Sequence, residues 1–151
     1  MGRATSDGKH MSVKMMRCLR MAIDPGPHTG IAVREFDGSA VTYMTEDRNE
    51  LWRLIQLYNP QHLACETFYT GGRVDIHMIR TIEVVGGVKA ACAVLGIAYH
   101  MQEPQMRKSF LDEAKVMGKR SWEHEYDALA HLLCLEYRLI SGEAEAHGDR
   151  F

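Results

Sequence analysis

Two apolar runs in this chain each end in an acid, and that pattern restricts the fold more than any other feature. Leu19-Arg20-Met21-Ala22-Ile23 leads into Asp24, and His62-Leu63-Ala64-Cys65 leads into Glu66. Runs this short and this apolar read as strands buried in a sheet. A carboxylate at the end of a buried strand is costly unless it is paired or holds a cation. A third acid, Asp127, opens the apolar helix His124-Glu125-Tyr126-Asp127-Ala128-Leu129-Ala130-His131-Leu132-Leu133. Convergence of three such acids suits a hard, oxygen-preferring cation such as Mg²⁺, and with it phosphate chemistry.

The rest of the pattern supplies the layers around those acids. Gly30–Phe36 and Ala40–Thr45 read as strands joined by an Asp37-Gly38 turn, which makes an antiparallel meander with the first strand. Asp47 caps a helix running to about Tyr58, with Leu51, Leu54, Ile55 and Tyr58 on one stripe and Asn59-Pro60 as its stop. A long helix is expected over about 75–95, with Ile76, Ile79, Ile82, Val85, Val88 and Cys92 as its apolar face. Gly86-Gly87 in its middle implies either a break or close packing, and close packing, at a dimer interface, is favoured. Residues 96–101 read as a fifth strand, 104–114 as a short helix, 112–121 as a mobile loop and 122–140 as the last helix. His124 and Asp127, three residues apart, share one face of that last helix. The order predicts an α/β domain with a five-stranded mixed sheet flanked by helices.

Composition limits the setting. The chain has 151 residues, 46% hydrophobic and 25% charged, enough for one domain with a real core. Its net charge of −2 gives no bulk support for nucleic-acid binding. Locally the balance differs: between Arg73 and Arg120 there are eight basic residues against five acidic ones. Four widely spaced cysteines, with no CxxC pair, argue against a zinc ribbon and for reduced thiols in a cytoplasmic setting. No apolar run is long enough to span a membrane. Residues 1–14 read as a flexible or vector-derived segment, since His10-Met11 resembles a cloning junction. Residues 15–141 read as the domain, and 142–151 as a polar, disordered tail.

These motifs together are similar to those of a known family. Ile23-Asp24-Pro25-Gly26-Pro27-His28-Thr29-Gly30-Ile31-Ala32 resembles the first motif of the RuvC-like Holliday junction resolvases. Cys65-Glu66-Thr67-Phe68-Tyr69 resembles the second, and His124 to Ala130 the last, in which an acid or His precedes the final Asp by three. The resemblance spans about residues 19–138 and looks most like compact, phage-encoded members. It implies a ribonuclease H-like fold, with 15–141 as the nuclease domain, a homodimer, and Mg²⁺-dependent paired nicking of four-way DNA junctions in a bacterial or phage-infected cytoplasm. Asp24, Glu66, His124 and Asp127 would hold two Mg²⁺ ions, with Mn²⁺ able to substitute, and water would attack the phosphate to leave a 5′-phosphate and a 3′-hydroxyl.

The resemblance also assigns DNA contacts. Phe68 or Tyr69 would stack on unpaired bases at the crossover, with Tyr69 favoured for DNA and Phe68 for the core. Arg107 or Lys108 would stabilise charge at the scissile phosphate. Arg73 belongs to the same basic stretch. The second catalytic lysine of bacterial members has no clear counterpart, leaving Lys115, Lys119 and Arg120 as candidates. Two alternatives stand beside junction resolution: a broader flap and fork debranching nuclease of the same fold, and a non-catalytic branched-DNA binding module.

Overall fold

Cys18–Asp24 forms β1, the central strand of the computed structural model, and its Met21, Ala22 and Ile23 are fully buried. The structure describes residues 18–67, 72, 74–118, 122–145 and 147–149. β1 pairs antiparallel with β2 (Thr29–Glu35), which pairs antiparallel with β3 (Ala40–Thr45). On its other side β1 pairs parallel with β4 (His62–Glu66), and β4 with β5 (Ala98–Gln102). The sheet order is β3-β2-β1-β4-β5, the five-stranded mixed sheet expected from the pattern.

Side-chain alternation along the strands gives the sheet two different faces. Met21, Ile23, Ile31, Val33, Leu63, Cys65 and Tyr99 build one core with α1 (Arg48–Tyr58) and α2 (Ile76–Leu95). Both helices start on an aspartate: Asp47 accepts from the Asn49 amide and Asp75 from the Met78 amide, each at 2.9 Å. The opposite face is lined by alanines, because Ala22 pairs with both Ala32 and Ala64. A long helix, α4 (Glu123–Ser141), covers this face, and a short one, α3 (Leu111–Met117), packs against α4. The low alanine row lets α4 lie close to the sheet, packing Ala128, Leu129, Leu132 and Leu135 onto it. Glu136 fastens the far half of α4: its two carboxylate oxygens receive Arg20 at 2.7 Å and Arg34 at 2.9 Å.

Several expectations change. Residues 104–118 are not one short helix followed by a loop. Pro104–Phe110 is a 3-10 helix, and α3 follows as a separate α-helix, held against α4 by fully buried Ala114. The face of α2 is rotated in its first half, while Val88 and Cys92 lie in the core as expected. Thr81, Val84, Val88 and Cys92 are buried, whereas Ile76, Ile79 and Ile82 are 57%, 42% and 44% exposed. α2 is apolar nearly all round, so periodicity alone does not select its inner face. The helix runs unbroken through Gly86-Gly87. A Cβ on Gly87 would lie 2.3 Å from the Trp52 indole, so the close packing there is with α1 of the same chain, while Gly86 faces open space. The polar tail is not wholly loose either. Asp149 accepts a hydrogen bond from the Met101 amide at 2.6 Å and donates its own amide to the Tyr99 carbonyl at 2.7 Å, on the outer edge of β5.

Candidate active site

Ile23 and Cys65 are register partners in parallel strands, so Asp24 and Glu66 leave the sheet side by side at its carboxyl edge. That edge is where open α/β sheets place their sites. The third element arrives over a glycine. Gly30 lies opposite Asp24, and a Cβ there would sit 2.0 Å from the His124 carbonyl oxygen. The start of α4 therefore touches the backbone of β2. This contact brings His124 Nδ1 to 3.0 Å from Asp24 Oδ2.

Asp24, His124 and Asp127 each offer one donor atom, and these atoms all lie within 4.8 Å of one another. Glu125, the intervening acid, serves α4 instead. One carboxylate oxygen accepts from the Trp122 amide at 2.8 Å, and the other from Thr42 Oγ1 at 2.9 Å. It fixes the first turn of the helix and ties it to β3.

Glu66 stands apart from that trio. Its Oε2 receives both the Arg107 guanidinium and His131 Nε2, the latter at 2.7 Å. Arg107 also reaches Asp127 Oδ1 through Nε at 3.2 Å. It thus lies between two of the acids as an internal counter-cation. Of the other basic candidates, Lys108 and Lys115 are exposed. Phe68, Tyr69, Arg73, Lys119 and Arg120 lie outside the described residues.

The electrostatics follow from this arrangement. Burial, then the Glu66 carboxylate, push the Asp24 carboxyl up to about 6, against the opposing hydrogen bond from His124. Burial also raises Asp127, with Arg107 opposing it. Glu66 is half-buried, yet its bonds with His131 and Arg107 outweigh the cost of that burial and hold it below the ordinary carboxylate range.

The donor set suits a divalent cation. Two carboxylates and an imidazole crowd together, and a cation would relieve the like-charge repulsion that Asp24 experiences. Asp24, His124 and Asp127 would hold one ion. A second ion shared with Glu66 would compete with Arg107 for its place.

Sequence reading passed over several neighbours. His28 stacks on His124 with ring centroids 6.0 Å apart, and its Nδ1 is 2.7 Å from Glu46. Beyond it a cleft of about 480 Å³ opens between the starts of α1 and α2, lined by Arg48, His77, Arg80 and Glu83 among others. The available signal for His28 was its place inside the first acidic motif.

Structural comparison settles the architecture. A structure of Thermus thermophilus RuvC in complex with a Holliday junction substrate matches with a TM-score of 0.68 at 16% identity, covering 83% of this chain and 97% of that one. The fold is that of RuvC. A second structure of Thermus thermophilus RuvC matches with a TM-score of 0.60 at 19% identity, covering 82% and 96%. No protein-family model and no curated protein sequence matches the chain. Identities this low carry the RuvC fold alone, so the chemistry has to be read from the residues described above.

Proposed function

We propose that this protein is a divalent-cation-dependent, structure-selective endonuclease that resolves four-way DNA junctions by paired nicking. One observation carries the reading: Asp24, His124 and Asp127 present donor atoms within 4.8 Å of one another at the carboxyl edge of a RuvC fold. The structural neighbour bound to a Holliday junction substrate supports four-way DNA as the substrate class.

In this scheme Asp24, His124 and Asp127 bind Mg²⁺ or Mn²⁺, and Glu66 completes the site for a second ion. Bound there, the cations would polarise the scissile phosphate and favour ionisation of the attacking water. The chain's own groups do the rest. His124, hydrogen-bonded to Asp24, keeps that carboxylate turned toward the cluster. Arg107 balances Glu66 and Asp127 before DNA arrives and shifts its guanidinium to the phosphate when DNA binds. Lys108, Lys115, Lys119, Arg120 and Arg73 contribute backbone contacts, which position the DNA without reading its sequence. Tyr69 stacks on an unpaired base at the crossover.

Two copies acting together would nick two strands. The exposed face of α2, with Ile79, Ile82 and open Gly86 at helical spacing, supports a homodimer through that helix.

The test is cleavage by the Asp24→Asn protein. It should bind a labelled four-way junction and leave it uncut with Mg²⁺ or Mn²⁺. Cutting at the unmodified rate would remove Asp24 from the chemistry. Equal cutting of flaps and forks by the unmodified protein would replace junction resolution with general debranching.

A further inference from the structure

Glu66 is held from behind by a buried chain of side chains that the proposed chemistry does not itself call on. His131, one turn beyond Asp127 on α4, is fully buried. Its Nε2 is 2.7 Å from Glu66 Oε2. Its Nδ1 is 2.9 Å from Nε2 of Gln102, which ends β5 and is also fully buried. The same Gln102 amide nitrogen lies 3.0 Å from the His131 carbonyl oxygen, and Gln102 Oε1 lies 3.2 Å from Arg138 Nη1.

These partners leave no freedom in where the protons sit. A guanidinium can only donate, so Arg138 fixes Oε1 of Gln102 toward itself. A carbonyl can only accept, so the His131 carbonyl fixes the Gln102 NH₂ on the other side. The NH₂ then faces His131 Nδ1, which has to accept. The ring proton is left on Nε2, aimed at Glu66.

Both donors to Glu66, His131 and Arg107, use the same oxygen, Oε2. Oε1 has no hydrogen-bond partner among the described residues and is the oxygen available to a cation. The two donors differ in access. The Arg107 side chain is 25% exposed and can be drawn away by a phosphate, whereas the His131 side chain is 0% exposed.

We infer that Arg138, Gln102 and His131 form a positioning relay that locks His131 with its proton on Nε2 and holds the Glu66 carboxylate in a ligand-ready orientation after Arg107 departs. His131 is a positioning residue; it acts through Glu66. This rests on the reading of Glu66 as a metal ligand in the proposed nuclease. Partners one step behind a metal ligand typically change metal affinity by about 10- to 100-fold when removed.

Two DNA-free measurements test the relay. The ¹⁵N shifts of His131 in the metal-free protein should show a protonated Nε2 and an unprotonated Nδ1. In Gln102→Met they should move to a mixture of tautomers. Binding of the second, Glu66-dependent Mn²⁺, followed by electron paramagnetic resonance, should weaken about 10-fold or more in His131→Leu and regain most of that loss in His131→Gln, whose amide can still donate to Glu66. A wild-type His131 protonated on Nδ1 overturns the relay whether or not the variants fold. So does a folded His131→Leu that binds the second Mn²⁺ as the wild type does. Neither measurement uses DNA, so a relay confirmed in a protein that cuts no junction would count against the nuclease reading alone.

Discussion

Asp24 is the residue where the cost of the site is most visible. It is 6% exposed, it feels Glu66 and Asp127 as like charges, and its carboxyl is pushed up to about 6 by burial and that repulsion. An ordinary aspartate ionises near pH ~4. In the metal-free protein the folded state therefore favours the protonated form. This contribution to stability is fully present below about pH 4 and is lost as pH rises through about 6, on the order of 2–3 kcal/mol. A divalent cation removes the penalty by favouring the ionised form. The gain in melting temperature from Mg²⁺ over EDTA should thus open between about pH 4 and about pH 6 and stay large above it. A gain independent of pH across that interval would mean that Asp24 is not a ligand. At this scale the sequence was partly legible. Asp24 at the end of an apolar strand, and a His and Asp three apart on a helix, pointed to the residues that do come together, whereas Glu66 at the end of its own strand sits with Arg107 and His131. Arg107 was read as a phosphate contact, not as an ion-pair partner of Glu66 and Asp127. Gln102 carried no signal, because its role depends on the pairing of β5 with β4 and the crossing of α4.

α4 reaches the site because of what the sheet lacks beneath it. Alanines on β1, β2 and β4 give it room, and Gly30 lets its first turn touch β2. It is fastened at both ends. Asp24 holds His124 near its start, and Arg20 and Arg34 hold Glu136 in its far half. Gly30→Ala tests this approach directly. Its Cβ would meet backbone, not a flexible side chain, so the start of α4 has to move. The protein should lose about 1–3 kcal/mol of stability. Mn²⁺ affinity should fall further than in a surface variant of equal stability. Unchanged Mn²⁺ binding would separate the α4 approach from the site. Most elements were legible from periodicity and caps: β1, β3 and α1 fall where the pattern places them. The misread parts have physical reasons. α2 is apolar on several sides, so its buried face was set by the sheet. Residues 111–117 look polar, yet Ala114 is enough to seat a short helix on α4.

Across the whole molecule, two surfaces differ in what covers them. The outer edge of β5 is covered by the chain itself: Asp149 occupies backbone groups that an edge strand would otherwise leave open to pairing. The exposed α2 face is the proposed dimer contact. Gly86→Leu fills open space and creates no clash within the chain, so the monomer should fold normally. Sedimentation velocity should then show weakened self-association, and an unchanged profile would move the interface elsewhere. The mixed sheet and its helices were readable from the order of elements. The fastening of the tail was not, since its polar composition resembles that of a loose end.

The most direct measurement is strand-by-strand mapping of cuts in a labelled, immobile four-way junction, with Mg²⁺ and with EDTA. Paired nicks on opposing strands that appear only with Mg²⁺ are the predicted result. Tight junction binding with no cutting in Mg²⁺ or Mn²⁺ would contradict it, and would leave Asp24, His124 and Asp127 as a structural cluster in a DNA-binding module.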